Sequence, residues 1–157
     1  MGKASVKEDK TIYQLYREEA GLTRAAASEK LDFITESRIE RIEYGSEPYP
    51  VEVVAMAAAY KRPELCNYFC SHECRIGQEY VPEIKAGSDL PTIVLEILAR
   101  LNSLNREKDR LIEIAVDGKV SDEEMKDFLR IRGELDEMSL TIDSLKLWLD
   151  KTLADTP

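Results

Sequence analysis

Histidine and tryptophan occur once each in this chain of 157 residues, cysteine three times, proline six and glycine seven. With a single His72, no glycine-rich phosphate loop and no nucleophile elbow, the chain lacks the usual parts of an acid–base or acyl-transfer site, and its carboxylates recur at solvated helical spacing. An enzyme is therefore not expected. Three cysteines, an odd number set close together, cannot make a fully paired disulfide framework and suit a reducing compartment. The longest apolar run, Val53 to Tyr60, is eight residues, far short of the roughly 18 that span a bilayer, and no charged-then-apolar leader opens the sequence. The expectation is a soluble, cytoplasmic protein with no membrane partner. Sparse glycine and proline point to helices.

What the chain does have is 43% hydrophobic side chains and 34% charged ones, with 31 acids against 22 bases for a net charge of −9. That is enough apolar material for one ordinary domain, or a small domain with an appendage. Acidity of this size argues against simple nucleic-acid binding until it is divided along the chain. Residues 1–65 hold ten bases and twelve acids, 66–88 two and three, and 89–157 ten and sixteen. The C-terminal segment carries most of the excess.

Punctuation divides the chain into 1–74, with short helical stretches broken near Gly21, Asp32, Gly45 and Pro63; an irregular connector over 75–89; and 90–157, broken only at Asp117-Gly118. In the last part Leu90, Val94, Ile97, Leu101, Leu104, Lys108, Leu111 and Ala115 step by four and three, as a heptad seam does. Leu135, Met138, Ile142, Leu145 and Leu149 repeat the pattern. Extra apolar residues widen the stripe, so an antiparallel helical hairpin with a second copy on its other face is expected, making a homodimer. Ser121 and Glu124 form a capping box at the start of the second helix. The Asp117 turn resembles half of a calcium loop, but Glu113 and Ala115 stand where the other half needs ligands, so a capped turn is the better reading.

Toward the N-terminus, Ile12, Leu15 and Tyr16 give a first amphipathic helix. Thr23 caps a second, kept narrow by Ala25, Ala26 and Ala27, and Thr35 caps a third whose Ile39 and Ile42 face inward. Pro50 opens a fourth, running to Tyr60. The string GLTRAAASEKLDFITESRIERIEYG resembles the helix-turn-helix of the Cro/repressor-type (XRE) transcriptional regulators, over about residues 10 to 65. Its Leu-Thr opening, the alanines of the second helix and the Arg41-Ile42-Glu43-Tyr44-Gly45 ending carry the likeness. The turn Leu31-Asp32-Phe33-Ile34-Thr35 is one residue longer than is usual in that family and lacks its glycine. The resemblance implies an all-α, lambda-repressor-like bundle that reads double-stranded DNA.

In such a motif the N-terminal residues of the third helix meet base edges. That places Thr35, Glu36, Ser37, Arg38 and Arg41 at the groove, with Arg38 or Arg41 suited to guanine and Glu36 to cytosine N4. Thr23, Arg24 and Ser28, with Ser46 and Tyr49 in the following loop, are placed on phosphates. Glu43 falls at a position that supports the fold, with Arg17 as its partner. The expected function is sequence-specific DNA binding for transcriptional regulation by a dimer. The alternatives are a protein-interaction module on the same fold that no longer binds DNA, and a metal- or redox-responsive regulator using Cys66, Cys70 and Cys74. No cofactor is expected. Cys66, Cys70, His72 and Cys74 are chemically a zinc set, or three thiolates for an iron–sulfur cluster, but their spacing matches neither motif, and cysteines packing the core explain them more simply.

Overall fold

Threonine hydroxyls start the first three helices. Thr11 caps α1 (Ile12–Glu19), Thr23 caps α2 (Arg24–Leu31) and Thr35 caps α3 (Glu36–Glu43), each in extended backbone with its side chain accepting from the amide three residues on. These bonds satisfy amides that a helix start leaves without partners. α4 (Pro50–Tyr60) begins differently: proline occupies the first turn, and the Tyr49 amide donates to Glu52 Oε2 at 2.7 Å. The computed structural model describes residues 10–85, 87–116 and 118–156. Among them every regular element is helical, and no helix is long and apolar enough to cross a membrane.

Two units divide these residues: 10–83 with 150–156, and 84–149. In the first, Tyr13, Ala27, Leu31, Ile34, Ile39, Ile42, Val53, Met56, Tyr60 and Leu65 form the core. Alanine at 27 is fully buried; a larger side chain there would hold α2 away from its neighbours. Ile39 and Ile42 face inward as their spacing predicts. Leu15 does not: it is exposed, and Tyr13 and Arg17 are the buried residues of α1. Burying Arg17 turns the helix so that the guanidinium, not Leu15, faces the core.

The turn between α2 and α3 solves its missing glycine by strain. Asp32 sits at φ 59, ψ −51, and the Phe33 amide reaches back to the Leu31 carbonyl at 2.6 Å. This is a γ-turn of the rare, positive-φ kind. Aspartate is among the few residues that tolerate positive φ.

Beyond α4, α5 (Glu64–Tyr68) runs directly into a π-helical turn, Phe69–Glu73, closed by the Cys74 amide on the Phe69 carbonyl at 2.9 Å. The irregular connector expected from residue 75 is corrected here, because α6 occupies Arg75–Tyr80. Gly77 is the point where α6 meets the π-turn: a Cβ on it would lie 2.0 Å from the Cys70 carbonyl oxygen.

The second unit holds α7 (Leu90–Ala115) and most of α8 (Met125–Asp155). Arg100 bonds to Glu137, Glu107 to Arg130 and Arg110 to Asp127. Each step forward on α7 is matched by a step back on α8, so the two run antiparallel. Buried or half-buried on α7 are Leu90, Ile93, Ile97, Arg100, Ser103, Leu104, Glu107, Arg110, Leu111 and Ile114. The predicted heptad step is present, but its register is corrected: Val94, Leu101, Lys108 and Ala115 are exposed and lie outside the seam, with Arg100 and Glu107 inside it. Polar residues occupy these seam positions because each has an opposite charge across the pair. On α8, Met138 and Leu145 are shielded as predicted, while Leu135, Ile142 and Leu149 are exposed. Ser121 and Glu124 exchange the two bonds of the capping box, at 3.0 and 3.3 Å. Asp117, on which the calcium reading depended, lies outside the described residues.

Candidate nucleic-acid interface

The surface to be tested is the exposed side of α3 with the start of α2. Buried Ile39 and Ile42 fix which way α3 faces, leaving Glu36, Ser37, Glu40 and Arg41 exposed. Arg24, Thr35, Glu36, Ser37 and Glu40 line an open groove there. Four of the residues assigned to DNA therefore share one groove, and Arg41 stands on the same helix beside it. Glu40 was not among the assigned residues, although its place one turn after Glu36 puts it on the same face.

Charges behind this surface are heavily engaged. Glu43 is buried, and Arg17, the partner expected for it, donates to its two oxygens at 2.5 and 3.1 Å. Arg17 also donates to the Leu22 carbonyl at 2.6 Å, so its own desolvation is offset on both edges. Arg24 joins the pair, bonding Glu43 at 2.8 Å and Glu40 at 3.1 Å while lying over the Tyr44 ring. Near this cluster the phenol of Tyr60 is pushed up to about 12, by burial first and then by the charge of Glu43.

Arg38 is turned away from the groove. It makes a two-pronged pair with Glu52 at 2.8 and 2.7 Å, donates to the Glu47 carbonyl at 3.1 Å and lies over the Tyr49 ring. In this conformation three of its five N–H donors are engaged by the Glu52 carboxylate and the Glu47 carbonyl, so the base-edge role expected of Arg38 requires these bonds to be exchanged. Ser28 is engaged as well. Its hydroxyl donates to the Ile34 carbonyl at 2.8 Å, bracing the γ-turn instead of facing solvent. Thr23 and Thr35 spend their hydroxyls on caps. The Arg41 side chain has no hydrogen bond or ion pair among the described residues; its carbonyl accepts from the Ser46 amide at 2.9 Å.

Hydrogen bonding to Arg38 holds the Glu52 carboxyl below its ordinary 4.5. A depressed carboxyl stabilises the fold above its unfolded value, and that contribution is lost as pH falls through the folded one. Stability should therefore drop as pH falls below 4.5. In Arg38→Met, the part of that drop due to Glu52 should disappear when unfolding midpoints are compared across pH 3 to 6.

The cysteines take the simpler course. Cys66, Cys70 and Cys74 are free, half-buried and packed against the core of the first unit. A four-residue step overshoots a full α-helical turn and falls short of a π-helical one, so the π-turn keeps the third sulfur on the side of the first two. Burial, with Cys70 alongside, pushes the Cys66 thiol up. His72 stacks on Tyr68 at 4.5 Å, and its Nδ1 lies 2.8 Å from Ser71 Oγ. Among the described residues, no three His, Cys, Asp or Glu side chains are grouped to hold a metal ion. Comparison of the chain with protein-family models, curated proteins and solved structures finds no match.

Proposed function

We propose that the protein is a sequence-specific, DNA-binding transcriptional regulator of the cytoplasm, working as a dimer. In this reading α2 and α3 form a helix-turn-helix of the Cro/repressor kind, and α7 with α8 form a C-terminal hairpin. The observation that carries it is the orientation of α3: Ile39 and Ile42 are buried, and Ser37, Arg41 and Glu36 are turned outward beside the groove that Arg24 and Thr35 share. A helix held this way, with its N-terminal turn exposed, is what major-groove reading needs. Arg41 takes the guanine-reading role, and Arg24 reaches phosphate by exchanging Glu40 for a backbone oxygen.

One observation favours a second reading. Arg24 and Arg38 are both held by carboxylates, which leaves Arg41 as the one unpaired cation of α3 among the described residues, next to Glu36 and Glu40. So few available bases predict weak nonspecific binding with a shallow salt dependence, as suits a protein-interaction module.

Selection from random duplex DNA separates the two readings. A regulator enriches one sequence, and Arg41→Ala then weakens the enriched site by about 5- to 150-fold, since a good base contact contributes about 1–3 kcal/mol. A module enriches none. If Arg41→Ala binds an enriched site as tightly as the parent, the assignment of α3 is wrong.

A further inference from the structure

The antiparallel pair α7–α8 has two unlike flanks. With Ile97, Leu104 and Leu111 at heptad a and Ile93, Arg100, Glu107 and Ile114 at d of α7, and Ile131, Met138 and Leu145 at a of α8, the g positions carry Arg110, Arg130 and Glu137, which make the ion pairs across the seam. In an antiparallel pair, g faces g on one side and e faces e on the other. The e side has no such closure. Val94, Leu98 and Leu101 of α7 lie there beside Leu135, Ile142 and Leu149 of α8, between 39% and 51% exposed.

The geometry points to this e-side flank as the surface that receives a second copy of the chain, flank against flank, in a four-helix bundle. Six large side chains about half exposed leave on the order of 400 Å² of apolar surface, close to the apolar share of the roughly 800 Å² that one partner brings to a standard interface. A fitting partner must present apolar knobs at seven-residue intervals on two antiparallel helices, and this flank is itself such a surface. Its charges are self-complementary too. Lys108, Arg132 and Lys146 lie within the flank, and Asp109, Asp136 and Asp143 stand at its outer rim, where each already attracts one of those bases at 2.9 to 3.8 Å. The bases of one copy thus meet the acids of the other.

This surface rests on the dimer of the proposed function, not on the DNA. A monomer that still enriches a DNA sequence overturns the surface and leaves the DNA reading intact, and a dimer that enriches nothing does the reverse. Sedimentation of the full chain tests it. The parent is expected to be a dimer at tens of micromolar, Leu101→Asp a monomer of unchanged helix content, and Ala99→Asp, at an exposed c position on the opposite side of α7, still a dimer. A monomeric parent, a dimeric Leu101→Asp, or dissociation by Ala99→Asp as complete as by Leu101→Asp overturns the assignment. If Leu101→Asp loses helix as well, Leu101→Ala decides: a rise in dimer Kd of tenfold or more at constant helicity supports the surface, and an unchanged Kd overturns it.

Discussion

Glu43→Ala should remove about 3–5 kcal/mol from the stability of the first unit, the scale seen when one partner of a buried ion pair is deleted. Glu43 is the shared acceptor of Arg17 and Arg24, and its side chain is 1% exposed. Without it the buried Arg17 keeps only the Leu22 carbonyl and Glu18. Against a domain stability of roughly 5–15 kcal/mol, such a loss is a large fraction of the whole. The double variant Arg17→Met/Glu43→Leu should recover most of it, because apolar replacement of a whole buried pair is often neutral. Hydrogen exchange of α1 to α4 under increasing urea measures both. Equal destabilisation in single and double variants would mean that shape, and not charge, governs the site. Where Glu43→Ala remains folded, the titration of Tyr60 should move down toward its ordinary value, since the carboxylate is one of the causes raising it.

Gly77→Ala is the second large effect. The added methyl would meet the Cys70 carbonyl at 2.0 Å, and its neighbours within 3 Å are all backbone atoms. No side chain can rotate to make room, so either α6 lifts away or the π-turn shifts. Overpacking of this kind costs about 1–3 kcal/mol. The expected signature is loss of exchange protection and new proteolytic cleavage over residues 75–80, with α1 to α4 protected as before. Intact protection in α6 would show that the contact is looser than the geometry implies.

These two sites differ in how far they could be read beforehand. Thr23 and Thr35 announce their helices because a cap needs only the residue and its next three neighbours. The resemblance implies only that Glu43 supports the fold, with Arg17 a suitable base on the first helix; nothing local to either residue marks the contact. Nothing local marks Glu52 as the partner of Arg38, since fourteen residues and a turn separate them and its position also suits capping α4. Gly77 has the appearance of a helix breaker; only the approach of the Cys70 backbone shows why glycine is needed. Along α7 the heptad rhythm was legible and its phase was not. Hydropathy favours Val94 and Leu101 for the seam, whereas charge pairing places Arg100 and Glu107 there.

The two ion-pair clusters have a joint consequence for α3. Glu43 at its C-terminal end is bound to α1 and α2, and Arg38 near its N-terminal end is bound to α4. Clamped at both ends, the helix can neither slide along its axis nor roll about it without breaking a charged contact. Whatever docks on its outer face meets an element whose ordering entropy was spent during folding, so little of the binding energy is consumed in fixing it.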